Sequence, residues 1–232
     1  HTVDVAQFEN VSPLALGIPR DKYVFYSIFQ WTERKHPYGL IKAYLSEFTS
    51  QDNVALIVKT YRMNHTTQDK SIIEREIQTL KAFANSKHLP NVYLIHDALS
   101  RNDMLSLHAF GDCMVAPNRA EGFGLTTFES MAMGKPTIST NFGGSLEYMN
   151  QDNSYLINYT MTPVANMPWA NYTIKQSWAE PDLADLKTKM RYVYNNRDAA
   201  RSVGELGKAS IKEFSWDKIG ALMADSLRNI LG

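Results

Sequence analysis

Glu121 and Glu129 are separated by seven residues in the stretch PNRAEGFGLTTFESMAMGK (117–135), and Gly122 and Gly124 follow the first of them closely. A carboxylate accepts two neighbouring hydroxyl hydrogens, so such a pair suits the diol of a ribose or a sugar ring. Glycine lets a ligand approach the backbone closely. Upstream, residues 112–116 (DCMVA) have the character of a short buried strand. Downstream, Leu125, Phe128, Met131 and Ala132 fall on one apolar helical face. The order is therefore strand, glycine loop, helix. The free N–H groups of a first helical turn, reinforced by the helix dipole, attract phosphate at such a loop. Glu121 then stands in the loop and Glu129 one to two turns inside the helix. Phosphate held by amides and hydroxyls held by two carboxylates suit a nucleotide sugar.

A second group lies in WTERK (31–35), the loop after the first predicted strand, which places it at the same sheet edge as the glycine loop. Arg34 and Lys35 there would stabilise a departing diphosphate as its bond to a sugar breaks. The chain carries 24 basic and 24 acidic residues, so such a phosphate site has to be local. The same balance argues against a nucleic-acid partner or an anionic membrane surface. Lys59, ending the second predicted strand, is a further candidate at the edge of the site. There is no Asp-x-Asp pair, Cys-x-x-Cys, His-Glu-x-x-His or P-loop, so neither metal nor cofactor is expected.

The elements that must position these residues alternate. Strands are expected at 22–29, 53–60, 91–95, 112–116 and 136–140, with a last short one at 154–157. Helices are expected at 38–48, 69–84, 101–110 and from Leu125. That rhythm predicts an α/β fold, a Rossmann-like parallel sheet with helices on both faces and ligands beyond the carboxyl ends of its strands. Residues 160–178 read as an irregular aromatic loop with Pro163, Pro168, Trp169 and Trp178. Helices at 181–195, 197–214 and 216–231 form a helical tail, with Pro181 in a first turn and Ser215 as an N-cap. Residues 1–20, broken by Pro13, Gly17 and Pro19, read as a lead-in linker, and 21–232 as the binding domain. The 232 residues are 44% hydrophobic, enough for a sizeable core. The single cysteine, Cys113, excludes an internal disulfide framework, and no apolar run is long enough for a bilayer. Four N-x-S/T sequons, at Asn10, Asn64, Asn158 and Asn171, read as chance, and a cytoplasmic location is expected.

The stretch 117–135 resembles the signature of retaining glycosyltransferases of the GT-B fold, in particular family 4, in which two glutamates flank seven residues and Gly-Phe-Gly or Gly-Trp-Gly follows the first. Pro117 before it and Gly134-Lys135-Pro136 after it extend the match. The resemblance runs from about Val24 to Leu231 and implies the C-terminal, donor-binding half of such an enzyme. That half takes a UDP- or GDP-sugar and transfers the sugar with retention and without a metal, by front-face substitution. In the implied roles, Arg34 and Lys35 face the diphosphate. The backbone of Gly122, Phe123, Gly124, Leu125 and Thr126 holds phosphate and sugar. Glu121 binds sugar hydroxyls and Glu129 the ribose, while Ile95, His96 and Leu99 approach the base. Gly143, Gly144 and Glu147 match a pair of glycines followed by an acidic residue. The acceptor, whether carbohydrate, lipid or protein, would be bound by an N-terminal domain that is absent here. A non-enzymatic nucleotide-sugar-binding scaffold and a sugar-nucleotide epimerase of the same fold are the alternatives.

Overall fold

The computed structural model describes residues 4–84, 86–164, 172–173 and 175–231. Six parallel strands form its sheet: β1 (Tyr23–Gln30), β2 (Val54–Tyr61), β3 (Asn91–Ile95), β4 (Cys113–Ala116), β5 (Thr137–Thr140) and β6 (Tyr155–Ile157). Their spatial order is β3-β2-β1-β4-β5-β6, so chain order reverses between β1 and β4. A parallel sheet opens a crevice beyond its carboxyl edge at such a reversal.

β1 and β2 are buried along almost their whole length. Alternate residues divide the core, because successive side chains of a strand point to opposite faces. Phe25 and Leu56 pack with Leu40 and Tyr44 of α1 (Pro37–Glu47), Ile73 of α2 (Thr67–Phe83) and Met190 of α5 (Leu183–Asn195). Tyr26 and Ile57 pack on the other face against Leu107 and Phe110 of α3 (Arg101–Phe110). A third cluster joins Phe128 and Met131 of α4 (Leu125–Ala132) to Leu105, Tyr148 and Ile211, the last from α6 (Arg197–Ile211). Phe8, from a 3-10 turn at Val5–Phe8, inserts into the same cluster, so the lead-in segment is packed against the domain.

The structure differs from the expected pattern at two places. Where an irregular loop was expected at 160–178, β7 (Tyr159–Pro163) and β8 (Ser177–Pro181) pair antiparallel, with Thr160 opposite Glu180 and Thr162 opposite Trp178. Pro163, which suggested irregularity, stands at a strand end, where a missing N–H is tolerated; Pro168 and Trp169 lie outside the described residues. Pro181 accordingly closes β8, and Asp182 caps α5, accepting hydrogen bonds from the Ala184 and Asp185 amides at 2.8 and 3.2 Å. Leu125 leaves the apolar face assigned to it and is 49% exposed. The tail ends in α7 (Trp216–Leu231), which buries none of its residues. Among the described residues no helix is long and apolar enough to cross a membrane.

Phe128 is fully buried and meets Phe123, Tyr148 and Phe214 at ring distances of 5.1, 5.1 and 5.7 Å. Phe128→Ala should therefore destabilise the fold by about 3–5 kcal/mol in urea denaturation. A loss below about 1 kcal/mol would show that this cluster does not anchor α4.

Candidate functional site

β1 delivers its loop to the reversal point. After Trp31 the chain makes a 3-10 turn, Glu33–Lys35, that ends at His36 in the left-handed region (φ 54°). This turn is fastened to the loop after β4. The Arg119 amide donates to the Arg34 carbonyl at 2.8 Å, and the Arg34 guanidinium donates to the Ala120 carbonyl at 2.6 Å. The Arg119 side chain grips Glu180 of β8 with two hydrogen bonds, at 2.5 and 2.9 Å, and donates to the Glu33 carboxylate at 2.9 Å. Its guanidinium lies over the Trp178 ring, 4.7 Å from the centroid. Three segments distant in sequence thus meet on one side chain.

Glu121 emerges from that junction. Its Oε2 is paired with the Lys35 ammonium, accepts from Asn118 Nδ2 at 3.1 Å, and lies 3.7 Å from Arg34. Burial pushes the Lys35 ammonium below the usual lysine range, against the opposing pull of Glu121. The Glu121 carbonyl accepts from the Gly144 amide at 3.0 Å. Gly144 sits so close that a Cβ there would fall 1.6 Å from the Gly122 carbonyl oxygen. The loop turns into α4 through Gly124, whose φ of 81° belongs to the region glycine favours. The Tyr148 hydroxyl holds that turn, reaching the Phe123 and Gly124 carbonyls at 2.7 and 2.8 Å.

A cavity of about 450 Å³ opens between this loop, the ends of β1 and β2, and the segment after β3. Of the residues singled out in the sequence, Lys35, Lys59, Leu99, Glu121, Leu125 and Thr126 line it. Leu125 is exposed because it faces this cavity rather than the core. Lys59 is buried at the end of β2 and its ammonium is lowered by desolvation, which Asp97 partly offsets.

The others stand elsewhere. Arg34 looks into a neighbouring cavity. Phe123 packs at a tilt against Phe128 and Tyr148, and Gly122 lies in the loop before it. Ile95 packs against the core. The His96 ring is buried behind His65, with ring centroids 5.5 Å apart, and burial lowers its pKa. Glu129 is only 3% exposed and does not line the cavity. Arg101 binds its Oε1, and His108 Nε2 lies 3.3 Å from its Oε2. Burial alone would raise this carboxyl; His108 and Arg101 outweigh it and hold the pKa below the usual range. Behind His108 the polar chain continues through Tyr26, whose hydroxyl lies 3.0 Å from His108 Nδ1 and donates to Ser130 Oγ at 3.0 Å.

Sequence reasoning missed Gln30, Tyr61, His65 and Met104, which line the cavity, and Arg119 and Arg101, which organise its walls. Arg119 stands two residues before Glu121, inside the stretch already singled out, but its role depends on partners far along the chain. Among the described residues no group of three or more His, Cys, Asp or Glu side chains is placed to hold a metal.

Comparison with known proteins adds to this geometry. An uncharacterized glycosyltransferase of Methanocaldococcus jannaschii is 28% identical over 135 residues, covering 54% of this chain and 33% of that protein. The C-terminal domain of LpcC, a glycosyl transferase group 1 family protein of Francisella tularensis, superposes with a TM-score of 0.66 at 17% identity, over 90% of this chain and 96% of that one. HepE of Anabaena, solved in complex with UDP, superposes with a TM-score of 0.69 at 16% identity, over 98% of this chain and 56% of that one. The chain thus spans a third of the archaeal relative and about half of HepE, and its six-stranded sheet with flanking helices is the Rossmann-like half of a GT-B fold. The pattern of glycosyl transferases group 1 matches residues 11–162, and the chain belongs to that family.

Proposed function

We propose that this chain is the donor-binding half of a glycosyltransferase, taking a nucleoside diphosphate sugar, with UDP as the nucleotide. The observation that carries this reading is the Lys35–Glu121 pair at the mouth of the cavity, beside the first turn of α4. A cation, a carboxylate and free amides at one point match a phosphate next to a sugar hydroxyl. The UDP bound to HepE supports the choice of nucleotide.

In this reading the diphosphate lies against Lys35 and the amides of Leu125 and Thr126. The base extends towards Leu99, with His96 behind His65. Glu121 exchanges Lys35 for sugar hydroxyls, and the ribose diol takes the place that Arg101 holds on Glu129. As the bond from the anomeric carbon to the diphosphate oxygen breaks, Lys35 stabilises the charge that appears there. The acceptor oxygen forms its bond from the same face, retaining configuration, and its proton passes to the departing phosphate. Arg34 orients Glu121 from outside the cavity. An acceptor-binding partner domain completes the site.

Calorimetry with UDP, GDP and their glucose conjugates tests the reading. UDP should bind, and Lys35→Ala should weaken it by about 2 kcal/mol, the worth of a charged hydrogen bond; Arg34→Ala should weaken it less. Absence of binding for every nucleotide would sink the proposal. Glu129→Gln should lower UDP affinity at least as much as it lowers UMP affinity, because both carry the ribose; unchanged affinity for both would remove Glu129 from the ribose site. Gly144→Ala drives a methyl into the Gly122 carbonyl and should abolish UDP binding while the far-ultraviolet circular dichroism stays native. Retained binding would show that this loop is not part of the site.

A further inference from the structure

Beside the donor cavity lies a second one, of about 490 Å³. Gln30 borders both, and Arg34 forms the wall between this second cavity and Glu121. Its central feature is Glu76, from α2. The Trp31 indole N–H and the Tyr38 hydroxyl both donate to Glu76 Oε2, at 2.6 and 2.8 Å. Two neutral donors on one oxygen fix the carboxylate and leave Oε1 without a protein hydrogen bond among the described residues. No Lys, Arg or His lies within ion-pair distance of Glu76 among those residues. Burial, and then the bond to Glu76, push the Tyr38 hydroxyl up to about 12, so it remains a donor at neutral pH.

The rest of the lining narrows the ligand. Arg34, Arg62, Glu33 and Glu76 all line it, with Glu33 already paired to Arg119, so neither sign of charge dominates the wall. A simple anion or cation gains little from balanced walls. A neutral polyol gains from all of them: carboxylates accept its hydroxyl hydrogens and guanidinium groups donate to its oxygens. Tyr38, only partly buried and set edge to face at 6.0 Å against the buried Trp31, offers apolar surface to the C–H face of a sugar ring. We propose that this second cavity binds a hexopyranose unit of the acceptor, so that the acceptor is a carbohydrate whose glycan chain runs past Arg34 to Glu121. Sugar binding stands on this cavity alone; its role as acceptor binding rests on the donor reading above.

The test uses the ¹⁵N-labelled chain and the Trp31 indole resonance, assigned with Trp31→Phe. Methyl glycosides of glucose, galactose, mannose and N-acetylglucosamine are titrated singly, with UDP affinity measured in parallel. At least one glycoside should shift the resonance saturably. Glu76→Gln and, independently, Arg62→Ala should weaken that glycoside about tenfold while UDP affinity stays unchanged. If no glycoside shifts the resonance, or the shift survives undiminished in both variants, while UDP still binds, the inference fails and the donor reading stands. If methylammonium or inorganic phosphate shifts the resonance and no glycoside does, the cavity is an ion site and the inference fails. If a glycoside binds but UDP does not, sugar recognition stands and the acceptor role falls with the donor reading.

Discussion

The Arg119 guanidinium is the constraint on which the rest of the site depends. Its planar fork takes the Glu180 carboxylate with two donors and Glu33 with a third, while its face rests on Trp178. Its own amide and carbonyl continue the connection, to Arg34 on one side and Ala179 on the other. Only arginine combines that donor geometry with a face that stacks on an aromatic ring. The β1 loop, the glycine loop and the β7–β8 hairpin are therefore positioned by one side chain that is itself largely buried. Lys35 and Glu121 come from two of those three segments and meet because Arg119 holds both.

The sheet supplies the complementary constraint. Reversal of strand order between β1 and β4 separates the helices that follow those strands and leaves their connecting loops facing one crevice. The chain crosses its own edge there twice, once with a basic turn and once with a helix start. Local charge is concentrated at this point although the chain as a whole is neutral.

Much of this was legible from residue order. β3 and α3 have the expected bounds, and the other sheet strands differ by one residue or so, because buried parallel strands appear as uninterrupted apolar runs between helical periods. The β7–β8 hairpin was not legible. Its first strand is almost wholly exposed, its prolines look like breakers, and its pairing joins residues 14 to 22 apart. At the cavity, Lys35 and Glu121 could be placed from the loop each occupies and Thr126 from the helix start it occupies. Arg34 and Lys35 are neighbours in sequence, yet a 3-10 turn sends them to different cavities, and no periodicity reports that. The setting of Glu129 was hidden for a related reason. Its partners, Arg101 and His108, occupy the same face of another helix, and their relation to α4 exists only after packing.

The pairing of Lys35 with Glu121 also bears on what the site refuses. A lone cation at a helix start would capture any passing phosphate or sulfate. Here the ammonium already has a carboxylate, and an anion that displaced Glu121 would leave that half-buried carboxylate with Asn118 and the more distant Arg34 but without its nearest cation. A ligand with phosphate alone satisfies one half of the pair and strips the other of its nearest cation. One that brings hydroxyls next to its phosphate satisfies both at once. On the proposed donor reading, the ion pair of the free protein acts as a filter, using the penalty of a weakened charge pairing to favour sugar phosphates over simple anions.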